Sequence, residues 1–588
     1  VTDTVSQLIE TNEHELNLHL EPKSEDFAHI QVNKQFQNKG DSILLQWDTD
    51  GDSGYHVYKR NFKEHGYFER VQIVGNGNFR DNITNGDLFE YVIISMDKQG
   101  TIRGYSDIFN SAGYTNFIDG INKLEDSPRK SDGITKVISL QSSLIFESDE
   151  TKELRVIRGV ARPDELSNNL YRQAKKLLTL DFTPFIRANE RLYSRIPEIE
   201  YKNIEEKLLY WSAFTLMRQV MLPPEGKAGY NYYVFSREPT WGWGHGGQVF
   251  HESLTMLAYA LMDPTSAMNS QRVYRERQFE NGYINYRTGS YLDEIIPVND
   301  QLTTSAPWYA WQNWEIYKLT GDQEFLEEMY ESSKAFYNYY VSHRDSDGDG
   351  LCEWGAHAVL ESVRDARVAV WDEVAWPTNF EGVDLNSMLV SEERALAHMA
   401  AELELQAEAV EWQAKAEHRS QLINSTMWDQ DTGFYYQVDK VDHNFTYEKP
   451  NDLKRQELIG FLPLWAGVAD ENQAAQLVEH MTNPDKFWRE YGIPSLAADD
   501  PYYDPQGYWN GPVWVEWQYL FLRGLLDYGY EEIAAELVDK VVANMISQLR
   551  EDHTFWEFYS PDDQWGGHHQ TYIWAVLIAK MLYEVRTK

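Results

Sequence analysis

EEIAAELVDKVVANMISQLR, residues 531–550, decides the fold class. Ile533, Leu537, Val541 and Met545 recur at every fourth position. At helical pitch, side chains four apart stand above one another, so these four form one apolar stripe on a helix. Phe325, Met329, Phe336 and Tyr340 repeat the pattern upstream, and Ile204, Leu208, Trp211 and Met217 do so earlier still. The breakers TGD (320–322) and DYGYE (527–531) fall between helix pairs. From residue 200 to 588, at roughly 30 residues per helix and loop, the chain predicts about a dozen helices. No internal repeat is visible, so a solenoid is not supported. Twelve helices can close as six hairpins into a toroid, but periodicity alone does not derive that closure.

Upstream the period shortens. SILLQW (42–47), YHVYKR (55–60) and FEYVII (89–94) are short β-branched and aromatic runs. Between them lie the turn-formers TDGDSG (49–54), GNGN (75–78) and KQG (98–100). Residues 29–111 therefore predict a small antiparallel sandwich behind an N-terminal segment of residues 1–28. The order of Trp47, the Tyr55 and Tyr58 pair, Tyr91 and GYSDIF (104–109) resembles a fibronectin type III module, which implies a spacer or partner surface. Residues 112–199 read as a linker, with a hairpin of SLQSSLIF (139–146) and KELRVIRGVA (152–161), then helix over 165–195.

Composition excludes several function classes. The 588 residues hold 53 basic and 93 acidic side chains, a net charge of −40. Such a surface repels phosphate backbones and anionic lipids, so neither nucleic acid nor membrane is an expected partner. No run of about 18 apolar residues is present, which predicts no membrane span. The single Cys352 excludes an internal disulfide and a cysteine-clustered zinc site. The chain begins at Val1 with no leader-like stretch, and a secreted or periplasmic location is expected, with a cytoplasmic one left open. Oligomeric state is not legible.

Aromatic residues are 14% of the chain, and they cluster. Trp241 and Trp243, then Trp308, Trp311 and Trp314, then Trp509, Trp514 and Trp517 lie amid Gly, Pro or Asn. Most such rings pack cores, but rings in loops can also floor a sugar site.

Glycosidic hydrolysis needs a carboxylic acid to protonate the leaving oxygen and a second carboxyl across the bond. Local setting distinguishes such groups from surface acids, because aromatic and small neighbours desolvate them. Glu557 stands among Phe555, Trp556, Phe558 and Tyr559, so it either snorkels from a helix or is held in a pocket. Asp365 lies in ESVRDARVAVWDE (361–373), where Arg364 and Arg367 offer an ordinary ion pair.

Four segments carry a resemblance. Glu361-Ser362-Val363-Arg364-Asp365 is similar to the E-S-G-x-D segment of glycoside hydrolase family 63, and Val383-Asp384-Leu385-Asn386 to a segment soon after it. Tyr508-Trp509-Asn510-Gly511-Pro512-Val513-Trp514 resembles that family's Y-W-R-G-P-I-W, and Phe555-Trp556-Glu557-Phe558-Tyr559 its F-x-E-x-Y. The family 37 trehalases share the clan. The resemblance implies a mainly α fold, an (α/α)6 toroid preceded by the small all-β domain, and inverting hydrolysis. Asp365 would be the general acid and Glu557 the general base, about 6.5–9.5 Å apart to admit a water. Trp241, Trp243, His245, Gln248, Trp308, Trp311, Glu361, Arg364, Tyr508, Trp509 and Trp514 become candidate sugar contacts. Val363 stands where the motif has glycine, Asn510 where it has arginine, and Trp241–Gln248 lacks the aspartate of the family's W-D segment.

Asp345-Ser346-Asp347-Gly348-Asp349-Gly350-Leu351-Cys352-Glu353 places carboxylates at alternate positions, like the first half of a calcium loop. Asp345, Asp347, Asp349, the Leu351 carbonyl and Glu353 are the candidate ligands of a structural calcium ion, as relatives with a bound calcium also imply. Position twelve is Ala356, so a ligand from elsewhere is needed. An acidic turn between helices is the alternative. No cofactor is expected for catalysis.

The resulting expectation is an inverting, exo-acting, α-glucosidase-like hydrolase of an oligosaccharide or glycoside. A mannosyl- or glucosylglycerate-type hydrolase is the alternative within enzymes. A non-hydrolytic carbohydrate-binding protein on the same toroid is the alternative outside them. A lyase would want a basic cleft, and this chain has little surplus base.

Overall fold

The computed structural model describes the strand segments within 28–110 and residues 176–587, except 178, 239–247, 286, 291–292, 295–296, 299–300, 303, 355–357, 360–379 and 447–449. The hairpin expected over 139–161 lies outside the described residues, as do Trp241, Trp243, His245, Glu361, Arg364 and Asp365.

Nine strands form two sheets: β1 (Ala28–His29), β2 (Val32–Gln37), β3 (Ser42–Trp47), β4 (Gly54–Asn61), β5 (Glu69–Val74), β6 (Asn78–Asn82), β7 (Phe89–Met96), β8 (Ile102–Tyr105) and β9 (Phe109–Asn110). One sheet runs β2-β3-β6; the other runs β1-β8-β7-β4-β5, with β9 also on β7. Alternation along β3 buries Ile43, Leu45 and Trp47, which meet Tyr55, Val57, Tyr91 and Ile93 of the other sheet in one core. This is the sandwich the turn spacing predicts. Its fibronectin likeness rests on the sequence resemblance.

α1 (Thr183–Tyr193) falls inside the helical stretch expected over 165–195. The helices that follow form a closed ring. Its inner members are α3 (Phe250–Thr255 in 3-10 form, continuing as Met256–Tyr259), α5 (Tyr309–Thr320), α7 (Val383–Glu402), α9 (Leu458–Phe461 continuing as Leu462–Trp465), α11 (Val515–Asp527) and α13 (Ile573–Val576 continuing as Leu577–Arg586). Each packs against the next, and α13 returns to α3. The outer members are α2 (Ile204–Val220), α4 (Pro264–Glu276), α6 (Gln323–Arg344), α8 (Gln406–Thr426), α10 (Glu471–Met481) and α12 (Glu531–Glu551). α4, α6, α8 and α12 pack on the inner helix before them, and α2 packs on α13. The fold is therefore an (α/α)6 toroid.

Burial separates the two layers: α11 buries ten of its 13 residues, whereas α8 buries four of 21. An inner helix touches protein on every side, so its sequence loses the one-sided stripe. α6 buries Phe325, Met329, Phe336 and Tyr340 as its stripe predicts. α2 departs from the prediction. Ile204 and Leu208 are exposed, and the buried face is Leu209, Tyr210, Ala213, Phe214, Met217 and Val220. Both faces have helical spacing, and contact with α13 selects the larger one.

Candidate active site

Glu557 lies on β10 (Trp556–Tyr559), which pairs antiparallel with β11 (Gly566–Tyr572). It is therefore held on a strand and does not snorkel from a helix. The hairpin is tight because Gly566 and Gly567 lie under Trp556 and Trp565; a Cβ on either would approach those rings to 2.2 and 2.1 Å. Asn544 of α12 ties its turn by donating to the carbonyls of Ser560 and Asp563 at 2.9 and 3.0 Å.

The carboxylate of Glu557 is buried, at 3% exposure. Its Oε2 meets Nδ1 of His569 at 2.5 Å and Nδ1 of His568 still more closely. Its Oε1 lies 3.4 Å from the Tyr508 hydroxyl, which donates to it. Glu557, His568 and His569 are of metal-ligand type and cluster within 4.8 Å; an ionised carboxylate oxygen can only accept, so in a direct contact each ring nitrogen would be the donor.

Around this centre stand the aromatic residues of the Y-W-N-G-P-V-W segment. Tyr508 packs edge-on against Trp509, Trp514 and His568, while Trp509 and Trp514 stack 4.3 Å apart. Trp514 also meets Phe558 and Trp574. The structure thus gathers Glu557, Tyr508, Trp509 and Trp514. Asn510 is taken up by its own loop, donating to the Tyr502 carbonyl at 2.7 Å.

Three other candidates are engaged by neighbouring side chains and backbone. Gln248 is fully buried and donates to the Ser270 carbonyl at 2.7 Å, which ties it to α4. Trp308 is 1% exposed and packs edge-on against Trp517. Trp311, half-buried, packs on Trp465. These three build the wall of the ring.

Sequence reading missed two further carboxyls. Glu252 on α3 accepts from the Tyr572 hydroxyl and is 1% exposed. Burial pushes its carboxyl well above the usual range; the charge of Glu557 adds to this, and Arg287 opposes it. Glu516 in the first turn of α11 is equally buried, and neither of its oxygens has a hydrogen-bond partner among the other described residues. Burial pushes it well above the usual range, with Glu557 and Glu252 adding. Glu516 sits in apolar helical sequence and Glu252 between His251 and Ser253, and only ring closure puts them beside Glu557. The one signal available was their charge within runs such as GPVWVEWQYLFL (511–522).

The acidic loop follows α6 and is closed by its own carboxylates. Asp345 accepts from the Gly348 and Gly350 amides at 2.8 and 3.1 Å, and Asp349 from Leu351 at 2.8 Å. Two residues from outside the loop converge on it. Nε2 of His443 lies 2.9 Å from Asp349 Oδ2 and 3.5 Å from Glu381 Oε1. Glu381 is fully buried, and neither oxygen has a hydrogen-bond donor among the described residues. Burial, then Asp349, Asp347, Glu353 and Asp345, push its carboxyl up to about 9. Ligand atoms of Asp347, Asp349, Glu381 and His443 lie within 4.8 Å of one another. An orphaned buried carboxyl amid four acids fits a cation with oxygen ligands.

A closed ring of six helical hairpins defines the class of (α/α)6 toroids, and this one carries a buried carboxylate beside stacked tryptophans. The chain belongs to the family described as the mannosylglycerate hydrolase MGH1-like glycoside hydrolase domain, whose model matches residues 252–575. The mannosylglycerate hydrolase of Thermus thermophilus is 30% identical over 164 residues, 27% of this chain and 36% of that protein. That of Rubrobacter radiotolerans is 28% identical over 214 residues, 35% of this chain and 45% of that protein. The chain thus spans less than half the length of these curated relatives. A crystal structure of a family 63 mannosylglycerate hydrolase from Thermus thermophilus in complex with glucose aligns with a TM-score of 0.50 and 19% identity. The alignment covers 64% of this chain and all of that one, a likeness of fold.

Proposed function

We propose that this protein is an inverting, exo-acting hydrolase of α-glycosidic bonds in an oligosaccharide or glycoside. The observation that carries the reading is Glu557, buried among aromatic rings with Oε2 tied down and Oε1 beside Tyr508. Glu557 takes the proton of the attacking water through Oε1, and Asp365 protonates the leaving oxygen from the opposite side of the bond. Trp509 supplies the apolar ring against which a pyranose packs, with the fully buried Trp514 stacked behind it.

A mannosyl- or glucosylglycerate is the second reading of the substrate, favoured by the family match and by the names of the relatives above. One experiment tests both. The protein is incubated with aryl α- and β-glycosides, disaccharides and mannosylglycerate, and the first-formed anomer is followed by NMR. Release of the β-anomer from an α-glycoside is expected. Retention of configuration, an unsaturated product, or silence across the panel would each overturn the mechanism.

We also propose a structural calcium ion held by Asp345, Asp347, Asp349, Leu351 and Glu353, with Glu381 and His443 beside it. Glu381 supplies the outside carboxylate that Ala356 cannot. When bound, the ion neutralises the crowded acids and clamps the loop that leads toward Asp365.

A further inference from the structure

We propose that His568 and His569 are positioning residues for Glu557, brought onto one oxygen of its carboxylate by a β-bulge; this rests on the reading of Glu557 as general base. In a regular strand, consecutive side chains point to opposite faces, so two adjacent histidines could not both reach one carboxylate. Here Trp556 pairs with Gln570 and Phe558 with Gly567, so Glu557 alone is opposed by both His568 and His569. That two-against-one count is a bulge, a device that re-aims side chains beside active sites. His568 takes φ +74°, a left-handed conformation for which glycine is the usual residue. The strain turns both rings to the same side.

Both Nδ1 atoms contact Oε2, and neither contacts Oε1. Oε1, with the Tyr508 hydroxyl at 3.4 Å, is the oxygen left to face a water. Phe235 meets His569 edge-on at 5.4 Å and Phe558 stacks on His568 at 6.1 Å, which holds the rings. The electrostatic setting requires such donors. Glu252 from α3 and Glu516 from α11 lie close enough for their charges to interact with that of Glu557. Tyr508 and Tyr572 face the cluster from the loop before α11 and from β11, and Arg287 acts on Glu252.

The test measures kcat and KM against pH on an aryl glycoside that the wild-type protein hydrolyses. Asn carries an amide nitrogen where His carries Nδ1, and it tolerates positive φ. His568→Gly and His569→Leu should lose about 10- to 100-fold in kcat, with KM within about threefold, and the acid limb should move up about one pH unit. His568→Asn and His569→Asn should recover to within about threefold of wild type. Normal kcat and an unmoved acid limb in the Gly and Leu variants would overturn the inference. Full activity of Glu557→Gln would instead bring down the base reading itself, whereas a dead Glu557→Gln with normal histidine variants sinks only the positioning role. Nitrogen-15 NMR of the histidine-labelled wild-type protein gives a second readout that no misfolded variant can obscure. Both Nδ1 atoms should carry a proton, and an unprotonated Nδ1 on both rings would overturn the proposal.

Discussion

Glu557 has one carboxylate oxygen committed to two imidazoles and the other held near a phenol. Replacing it with Gln keeps the shape and removes the proton acceptor. Glu557→Gln and Asp365→Asn are each expected to lower kcat by about 10²- to 10⁴-fold with the melting temperature little changed, the usual range for a lost general base or acid. Steady-state kinetics beside a thermal melt checks both. A near-normal rate in either variant removes that assignment. Glu516 belongs to the same centre, yet no other described residue donates a hydrogen bond to it. Its raised pKa means the folded state keeps a proton that the unfolded chain releases above about pH 4.5. Stability from this group is thus highest at low pH and falls as pH rises. Glu516→Gln should flatten the decline in melting temperature between pH 5 and pH 8.5; an unaltered slope would show the carboxyl solvated.

At the scale of elements, helix ends and loops carry the order. The first turn of α5 is capped from outside by Glu392 of α7, which accepts from the Ala310 and Trp311 amides at 2.9 Å each. Burial still wins over those bonds and pushes Glu392 up to about 8. Its contribution therefore falls away from about pH 4.5 to about pH 8, and Glu392→Gln should reduce the loss of melting temperature across that window. The acidic loop is bound to the ring by Asn386, which pairs with both backbone groups of Cys352 at 2.9 and 3.0 Å. Arg419 adds a bond to the Gly350 carbonyl at 2.6 Å. Calcium added to the chelated protein should raise its melting temperature by several degrees, since ligand at about 100 times Kd contributes about 2.7 kcal/mol. Glu381→Gln should abolish that rise, and an equal rise in wild type and variant would remove Glu381 from the site.

For the whole molecule, the decisive event is that the last helix, α13, comes back onto α2. The Glu200 amide donates to the Arg586 carbonyl at 3.2 Å, and Arg586 Nε to Glu206 at 3.2 Å, with Glu206 2% exposed. Removing one partner of a buried ion pair leaves the other desolvated without compensation, which costs about 3–5 kcal/mol. Arg586→Ala should lose stability on that scale in urea melts, and the double replacement Arg586→Met with Glu206→Leu should restore most of it. If Arg586→Ala costs less than about 1 kcal/mol, the pair is solvated and closure depends on helix packing alone.

Helix periodicity, turn chemistry and the local company of Glu557 are legible along the chain, because those depend on neighbours a few residues apart. It therefore announced the outer helices α6 and α12, the alternation of β3, the class of fold through its motifs, and the burial of Glu557 through its four aromatic flanks. Only the packed molecule settles which face of α2 is buried and which partners hold Gln248 and Trp308. It also brought Glu252 and Glu516 beside Glu557, and Glu381 and His443 to the acidic loop. Each of these depends on groups from distant segments meeting in a desolvated space. Burial and the field of other charges are properties of that space, and no local pattern encodes them. His568 and His569 show the limit at its sharpest: adjacency argues that two side chains diverge, and one left-handed backbone angle makes them converge.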